Sequence, residues 1–294
     1  MSIAAPPGPE YLIKKSGRPS SVENSSFFPP SADLCRVGEI SAFPSCPGNT
    51  RKVRSLFLSD LHLGFRHSRV NVLLALLRQY EPENLYLVGD FIDSWCLGNG
   101  WYWAPECNQI VSRLIELSQS GTQVRIAVGN HDNFIRDPAM LQVLEGFGMV
   151  EVAEEFHHRT ADGRRFLVIH GHQFDRYENA SAITTRLLSL FYEILLRTNA
   201  YWSQITSAAL HGNSSLTAGI KRRLSILNRH VTHFRDAIIH HTRHEGCDGV
   251  ICGHIHAPQH LELDGITYCN TGDWIENCTA LLEDSSGQLS LLSF

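Results

Sequence analysis

Val88-Gly89-Asp90-Phe91-Ile92-Asp93 joins the end of the apolar run Leu85-Tyr86-Leu87-Val88 to a glycine and then to two carboxylates. A run that short, wholly apolar and rich in β-forming residues reads as a buried strand. Asp90 therefore falls at the carboxyl end of a strand, where an ionised group is expensive to leave without a partner.

The same pattern recurs on both sides. Upstream stand Leu56-Phe57-Leu58 and a helical period over about Val70 to Gln79. Downstream come a helical period over about Asn108 to Ser120, then Val124-Arg125-Ile126-Ala127-Val128, Phe166-Leu167-Val168-Ile169 and Gly249-Val250-Ile251-Cys252. Buried strands alternating with helices predict an α/β sheet. Ile266–Asn270, Thr279–Glu283 and Leu289–Phe294 leave little room for helices between them, which predicts a second sheet packed on the first.

Two stretches break the pattern. Residues 1–52 are rich in Pro, Ser and Gly without a sustained period and read as a flexible leader, leaving 53–294 as the domain. From about 176 to 246 strands give way to two long helical periods, about Ser181 to Thr198 and about Leu216 to His244, which read as a helical cap inserted into the α/β domain.

The net charge of -5 in 294 residues comes from well-mixed charges, so no duplex nucleic-acid partner is expected. The eight cysteines show no ligand spacing, which suggests a reducing compartment. The N-terminus lacks the pattern of a secretory signal, and the apolar stretch Leu187 to Leu196 contains Glu193 and is too short to cross a bilayer. A cytoplasmic protein that can rest peripherally on a membrane, through the cap, is the expectation.

Each strand end carries polar residues: Ser59-Asp60-Leu61-His62, Gly89-Asp90, Gly129-Asn130-His131-Asp132, Ile169-His170-Gly171-His172 and Gly253-His254-Ile255-His256. Ligands of open α/β sheets bind beyond the carboxyl ends of the strands, so these clusters can meet in one crevice. If each segment is extended, Asp60 and His62 point to one side, as do His254 and His256, with Leu61 and Ile255 turned to the core. The adjoining glycines allow a close backbone approach. Imidazoles, carboxylates and an amide oxygen without a thiolate favour Mn, Fe or Zn over an all-oxygen Mg or Ca cage, with Mn(II) the first expectation.

A lone histidine at a strand end is more often a surface or satisfied core residue than a ligand; the ordered set reverses that balance. Other features keep two readings. Trp95, Trp101, Tyr102 and Trp103 suit loop packing, or a wall for an acyl chain or membrane-facing lip. Lys221, Arg222 and Arg223 suit a solvated helix face, or a grip on a diphosphate or anionic headgroup. Arg66 and Arg176, near the clusters in sequence, are candidate phosphate contacts.

Taken in order, the five clusters resemble the signature of the calcineurin-like metallophosphoesterases. The resemblance implies a four-layer αββα sandwich and a centre of two divalent metal ions. By position it puts Asp60, His62 and His256 on one ion, Asn130, His170 and His254 on the other, and Asp90 between them. It makes His131 a catalytic residue beside the scissile phosphate rather than a ligand. Asp93, Asp132 and Asp273 are candidates for orienting ligand imidazoles, and His172 keeps two readings, a place behind the ligands or one in solvent.

Ser59 to Gly64, Tyr86 to Trp95, Gly163 to Asp175 and above all Asn270-Thr271-Gly272-Asp273-Trp274-Ile275-Glu276-Asn277-Cys278-Thr279-Ala280-Leu281 resemble more closely the bacterial UDP-2,3-diacylglucosamine hydrolases of lipid A synthesis and their paralogues. The chain departs from that group at His131, where arginine is usual, and at His172, where aspartate is common. The resemblance implies hydrolysis of a nucleotide-linked lipid to UMP and a lipid phosphate by a metal-bound hydroxide. A phosphodiesterase or phosphatase acting on nucleotides or other phosphoesters is the alternative, and a non-catalytic metal-binding scaffold the third reading.

Overall fold

Successive residues of a strand face opposite sides of its sheet, and the central strands here are apolar on both. A computed structural model, which describes residues 41–42, 50–98, 100–146, 150–175 and 231–294, shows what covers each side. The strands are β1 (Ser41–Ala42), β2 (Arg51–Leu58), β3 (Tyr80–Val88), β4 (Gln123–Ala127), β5 (Val150–Ala153), β6 (Glu155–Arg159), β7 (Arg165–Ile169), β8 (Gly249–Cys252), β9 (Gln259–Leu263), β10 (Ile266–Asn270), β11 (Thr279–Glu283) and β12 (Leu289–Ser293). They form a seven-stranded sheet in the order β1-β12-β11-β2-β3-β4-β5 and a five-stranded sheet in the order β6-β7-β8-β10-β9. β2 to β5 run parallel to one another, as do β7, β8 and β10.

The alternation sorts the core into three layers. Leu56 and Leu58 face the helices α1 (Val70–Gln79) and α2 (Pro105–Gln119), joined by Leu85, Leu87, Val124 and Ile126. Phe57 points the other way, into a layer with Tyr86, Val88, Phe156, Phe166, Ile251 and Leu281 that cements the two sheets. On the far side of the second sheet, Leu167, Ile169, Val250 and Tyr268 pack against Phe234, Ile238 and Ile239 of α4 (residues 231–244). Helix, sheet, sheet and helix make the expected αββα order.

α1 is held by one stripe: Val70, Leu73, Leu74, Leu76 and Leu77 are buried, the i, i+3, i+4, i+7 spacing of an amphipathic helix. Full burial of each such leucine contributes about 1.5–3 kcal/mol. α2 starts on Pro105, whose missing N–H costs nothing in a first turn, with Glu106 near the positive end of the helix dipole. α3 (Pro138–Gly146) follows the β4 loop.

Several expectations change. The C-terminal strands do not make the second sheet by themselves: β10 joins β8, while β11 and β12 return to the first sheet beside β2. Leu281 and Leu291 belong to the layer between the sheets, which is where apolar side chains on that side of β11 and β12 find cover. The domain also reaches further back than residue 53, since β2 begins at Arg51 and Ser41–Ala42 pair with Leu292–Ser293. Of the stretch read as a cap, residues 231–244 form the outer helical layer, because their apolar stripe meets the second sheet. Residues 176–230 and the rest of the leader lie outside the described residues.

Candidate metal centre

The loops after β2 and β3 run side by side. The Asp60 N–H donates to the Gly89 carbonyl, that of His62 to Asp90 and that of Leu63 to Phe91, at 2.9–3.0 Å. Asp60, His62, Asp90, His254 and His256 all have left-handed backbones, with φ between 46° and 71°. Asp60–His62 and His254–His256 are therefore not extended pairs: the shared direction of their side chains comes from paired left-handed residues. Aspartate and histidine bear this conformation better than most residues, and such strain gathers at functional sites.

Two glycines make the convergence possible. A Cβ on Gly89, itself at φ +81°, would stand 2.3 Å from the His170 ring, and one on Gly129 would stand 2.2 Å from Asp90 Oδ1. Those contacts are too short for any side chain, so the loops close on Asp90 only because these positions lack one.

The side chains meet around Asp90. Asp60, His62 and His256 each place one donor atom within 4.8 Å of the others, and so do His62, Asp90 and His131, and Asp60, Asp90 and His170. Asp90 Oδ2 lies 3.4 Å from His170 Nε2, 3.8 Å from His62 Nε2 and 3.9 Å from His131 Nε2. Asn130 Oδ1 is 3.1 Å from His170 Nε2. His254 stands ring to ring 5.1 Å from His170, with its Nε2 3.1 Å from Asp175 Oδ2.

Orientation follows from what each ring nitrogen touches. His170 Nδ1 donates to the Val88 carbonyl, which can only accept, so Nε2 is the atom turned to Asp90 and Asn130. Asp93 is forked: Oδ2 takes His62 Nδ1 at 3.2 Å and Oδ1 takes His131 Nδ1 at 2.9 Å, leaving both Nε2 atoms facing the centre. Trp95 stacks on the His131 ring with centroids 3.9 Å apart, and the Ser94 hydroxyl donates to the His131 carbonyl.

The charges hold one another. Burial would raise the Asp60 carboxyl, but the positive charges of His256 and His170 outweigh it and bring it to about 2. Burial likewise opposes Asp90, yet His170 and His131 pull it well below the ordinary carboxylate range, and bonds from His131 and His62 do the same for Asp93. Burial works against the charged form of His170 too, but Asp90, then Asp60, raise it to about 10. His131 and His256 move up for the same reason, with Asp90 and Asp60 respectively overcoming burial. Cations bound among such groups displace these protons.

The donors suit divalent ions. Asp60 Oδ1 and His62 Nε2 are buried without a hydrogen-bond partner; His256 Nε2 stands 3.1 Å from that oxygen as an ion pair, off hydrogen-bond geometry. Nitrogen and oxygen donors without a thiolate match the Mn, Fe or Zn class.

The other predicted residues divide. Asp132 does not orient an imidazole: its carboxylate accepts the N–H groups of Phe91, Ile92 and Gly129 at 3.0–3.2 Å, pinning the Asp90 loop. Burial, then the charge of Asp90, pushes its pKa up. Asp273 accepts the N–H groups of Ile275, Glu276 and Asn277 and so fixes its own turn. His172 lies near His170 and His254 and 3.5 Å from an Arg136 guanidinium nitrogen; burial and then the neighbouring imidazoles lower it to about 4.

Arg66 is exposed over the Tyr102 ring, and Trp101 stacks on Trp103. Trp101 lines an apolar cleft of about 270 Å³ with Ile92, Leu97, Trp103 and Phe134. Arg176, Lys221 and Arg222 lie outside the described residues. Sequence reasoning passed over Asp175, the partner of His254, although it ends the segment that carries His170 and His172.

Cys107, Cys247, Cys252, Cys269 and Cys278 are free thiols, and among the described residues no helix is long and apolar enough to cross a membrane.

The family model described as calcineurin-like phosphoesterase matches residues 53–258. The UDP-2,3-diacylglucosamine hydrolase of Porphyromonas gingivalis is 26% identical over 246 residues, covering 74% of this chain and 89% of that protein. That of Hahella chejuensis is also 26% identical, covering 79% and 94%. An 85-residue match to the hydrolase of Ectopseudomonas mendocina reaches 36% identity and covers 27% of this chain and 34% of that protein.

Proposed function

Because the chain belongs to the calcineurin-like phosphoesterase family, we propose that it hydrolyses the diphosphate of UDP-2,3-diacylglucosamine, or of a similar nucleotide-linked lipid, to UMP and a lipid phosphate. The observation that carries the hydrolytic part is the convergence of donors on Asp90. The lipid part is supported by the relatives matched over most of their length. The apolar cleft lined by Trp101 and by Ile92, the residue before Asp93, is a suitable wall for an acyl chain.

In this reading Asp60, His62 and His256 hold one divalent ion, Asn130, His170 and His254 hold the other, and Asp90 serves both. Mn(II) is the proposed pair. When bound, such ions supply Lewis-acid activation of water near neutral pH and charge neutralisation for in-line displacement at phosphorus. The Val88 carbonyl, Asp93 and Asp175 fix the ring orientations of His170, His62 and His254. His131, braced by Asp93 below and Trp95 across its face, presents Nε2 to the phosphoryl oxygens or delivers a proton to the leaving oxygen. The protein works in the cytoplasm at a membrane surface.

A second reading keeps the chemistry and changes the substrate to a nucleotide or other phosphodiester or monoester. It is favoured by His131, which stands where the lipid hydrolases usually carry arginine. The test offers UDP-2,3-diacylglucosamine in detergent micelles and a soluble aryl phosphodiester to the protein with Mn(II), with release of UMP and of the aryl alcohol as readouts. UMP release that is lost in Asp90→Asn is expected. Cleavage of the aryl diester alone would remove the lipid assignment and leave the phosphoesterase.

A further inference from the structure

β6 is an edge strand with alternating sides: Phe156 and His158 turn inward, while Glu155, His157 and Arg159 face out. Beside its outer face α4 ends in a turn in which the Glu245 N–H donates to the His241 carbonyl and the Cys247 N–H to that of Thr242. The turn brings Glu245 against the strand. One donor atom from each of Glu155, His157 and Glu245 lies within 4.8 Å of the other two. Further donors stand at the edge: His241 Nε2 is 3.3 Å from Glu155 Oε2, and Cys247 Sγ is 3.5 Å from His157 Nδ1.

We propose that Glu155, His157 and Glu245 bind a Zn²⁺ ion, with His241 or Cys247 within reach as a fourth ligand. Two carboxylates brought this close repel; the imidazoles of His241 and His244 stand 3.3 Å from Glu155 and 3.2 Å from Glu245, and a cation between the two carboxylates would hold both at once. The carbonyl end of α4 adds negative potential at the same place. Arg165 does not fill the role, since its guanidinium donates to the Glu245 backbone carbonyl, at 3.3 Å. The set mixes imidazole, carboxylate and thiol, which suits four-coordinate zinc; Mg²⁺ and Ca²⁺ want six or more oxygens, and the two glutamates offer too few. None of these residues is a donor to the centre around Asp90, so the ion would be additional to any held there.

The test is equilibrium dialysis of the full-length protein against Zn²⁺ alone, with metal per chain measured for wild type, His157→Gln, Glu245→Gln and Asp90→Asn. His157 is exposed, so its replacement is expected to leave the metal-free melting temperature unchanged, and Glu245→Gln serves as the second variant. Each of the two is expected to hold one Zn²⁺ fewer than wild type, while Asp90→Asn keeps the ion they lose. Wild-type stoichiometry in both His157→Gln and Glu245→Gln would overturn the proposal and mean that the histidines of the cluster serve as ion-pair partners only.

Discussion

Asp93 serves two imidazoles with one carboxylate, and the two bonds point His62 toward the donors of the centre and His131 beside them. An amide of the same shape can accept from one ring but must turn its NH₂ to the other. Asp93→Asn is therefore expected to lower kcat about 10- to 100-fold with KM little changed, as measured by steady-state kinetics on any phosphodiester the protein turns over. Equal loss in kcat/KM through KM alone would contradict that role. The backbone at Gly89 is a different matter, since a methyl group there meets the His170 ring at 2.3 Å. Gly89→Ala should lose metal affinity as well as about 1–3 kcal/mol of stability, read by metal titration and thermal melting.

Between the sheets, β2, β3, β6 and β11 share a buried polar knot. Glu283 takes the Ser55 hydroxyl at 2.5 Å, His158 Nε2 at 2.8 Å and the Ala161 N–H at 2.8 Å, while the Tyr86 hydroxyl lies 3.1 Å from His158 Nδ1. It borders a cavity of about 450 Å³ lined by Arg54, Tyr86, Arg125 and His158, which none of the donors around Asp90 borders. Burial opposes the Glu283 carboxylate, but the bonds from His158 and Ser55 lower its pKa. Because the folded value is the lower one, its stabilising contribution is full above the ordinary glutamate range and fades as pH falls through the folded value. Glu283→Gln should therefore melt below wild type at pH 7, with the gap closing toward acid; a gap that widens on acidification would contradict this sign. Polar residues also explain which strands the sequence hid. α1 was legible to the residue from its apolar spacing, and β8 from its unbroken apolar run. Tyr80–Asn84 of β3 carries Glu81, Pro82 and Glu83, and β6 carries His157, His158 and Arg159, so neither shows a strand's apolar alternation.

At the scale of the whole molecule, the order of chemistry-bearing strand ends was legible because each follows an unmistakable apolar run. Their geometry was not, since left-handed backbones leave no periodic trace. The division of the C-terminal strands between two sheets was hidden for a related reason: it depends on long-range pairing of Thr279–Glu283 with β2. If the folded chain alone binds metal, chelation removes the linkage free energy, about 2.7 kcal/mol for each site at free metal one hundred times the dissociation constant. That corresponds to a fall in Tm of about 5–10 °C for each site emptied in a domain of this size. Mn(II) should restore it in wild type and not in Asp90→Asn. Asp60, His62, Asp90, His254 and His256 occupy a conformation that the fold by itself would give to glycine, so on the metal-holding role proposed for them selection for catalysis and selection for stability pull in opposite directions at these positions. A descendant released from catalysis is expected to drift there toward glycine or asparagine, keeping the sandwich while its strand ends relax.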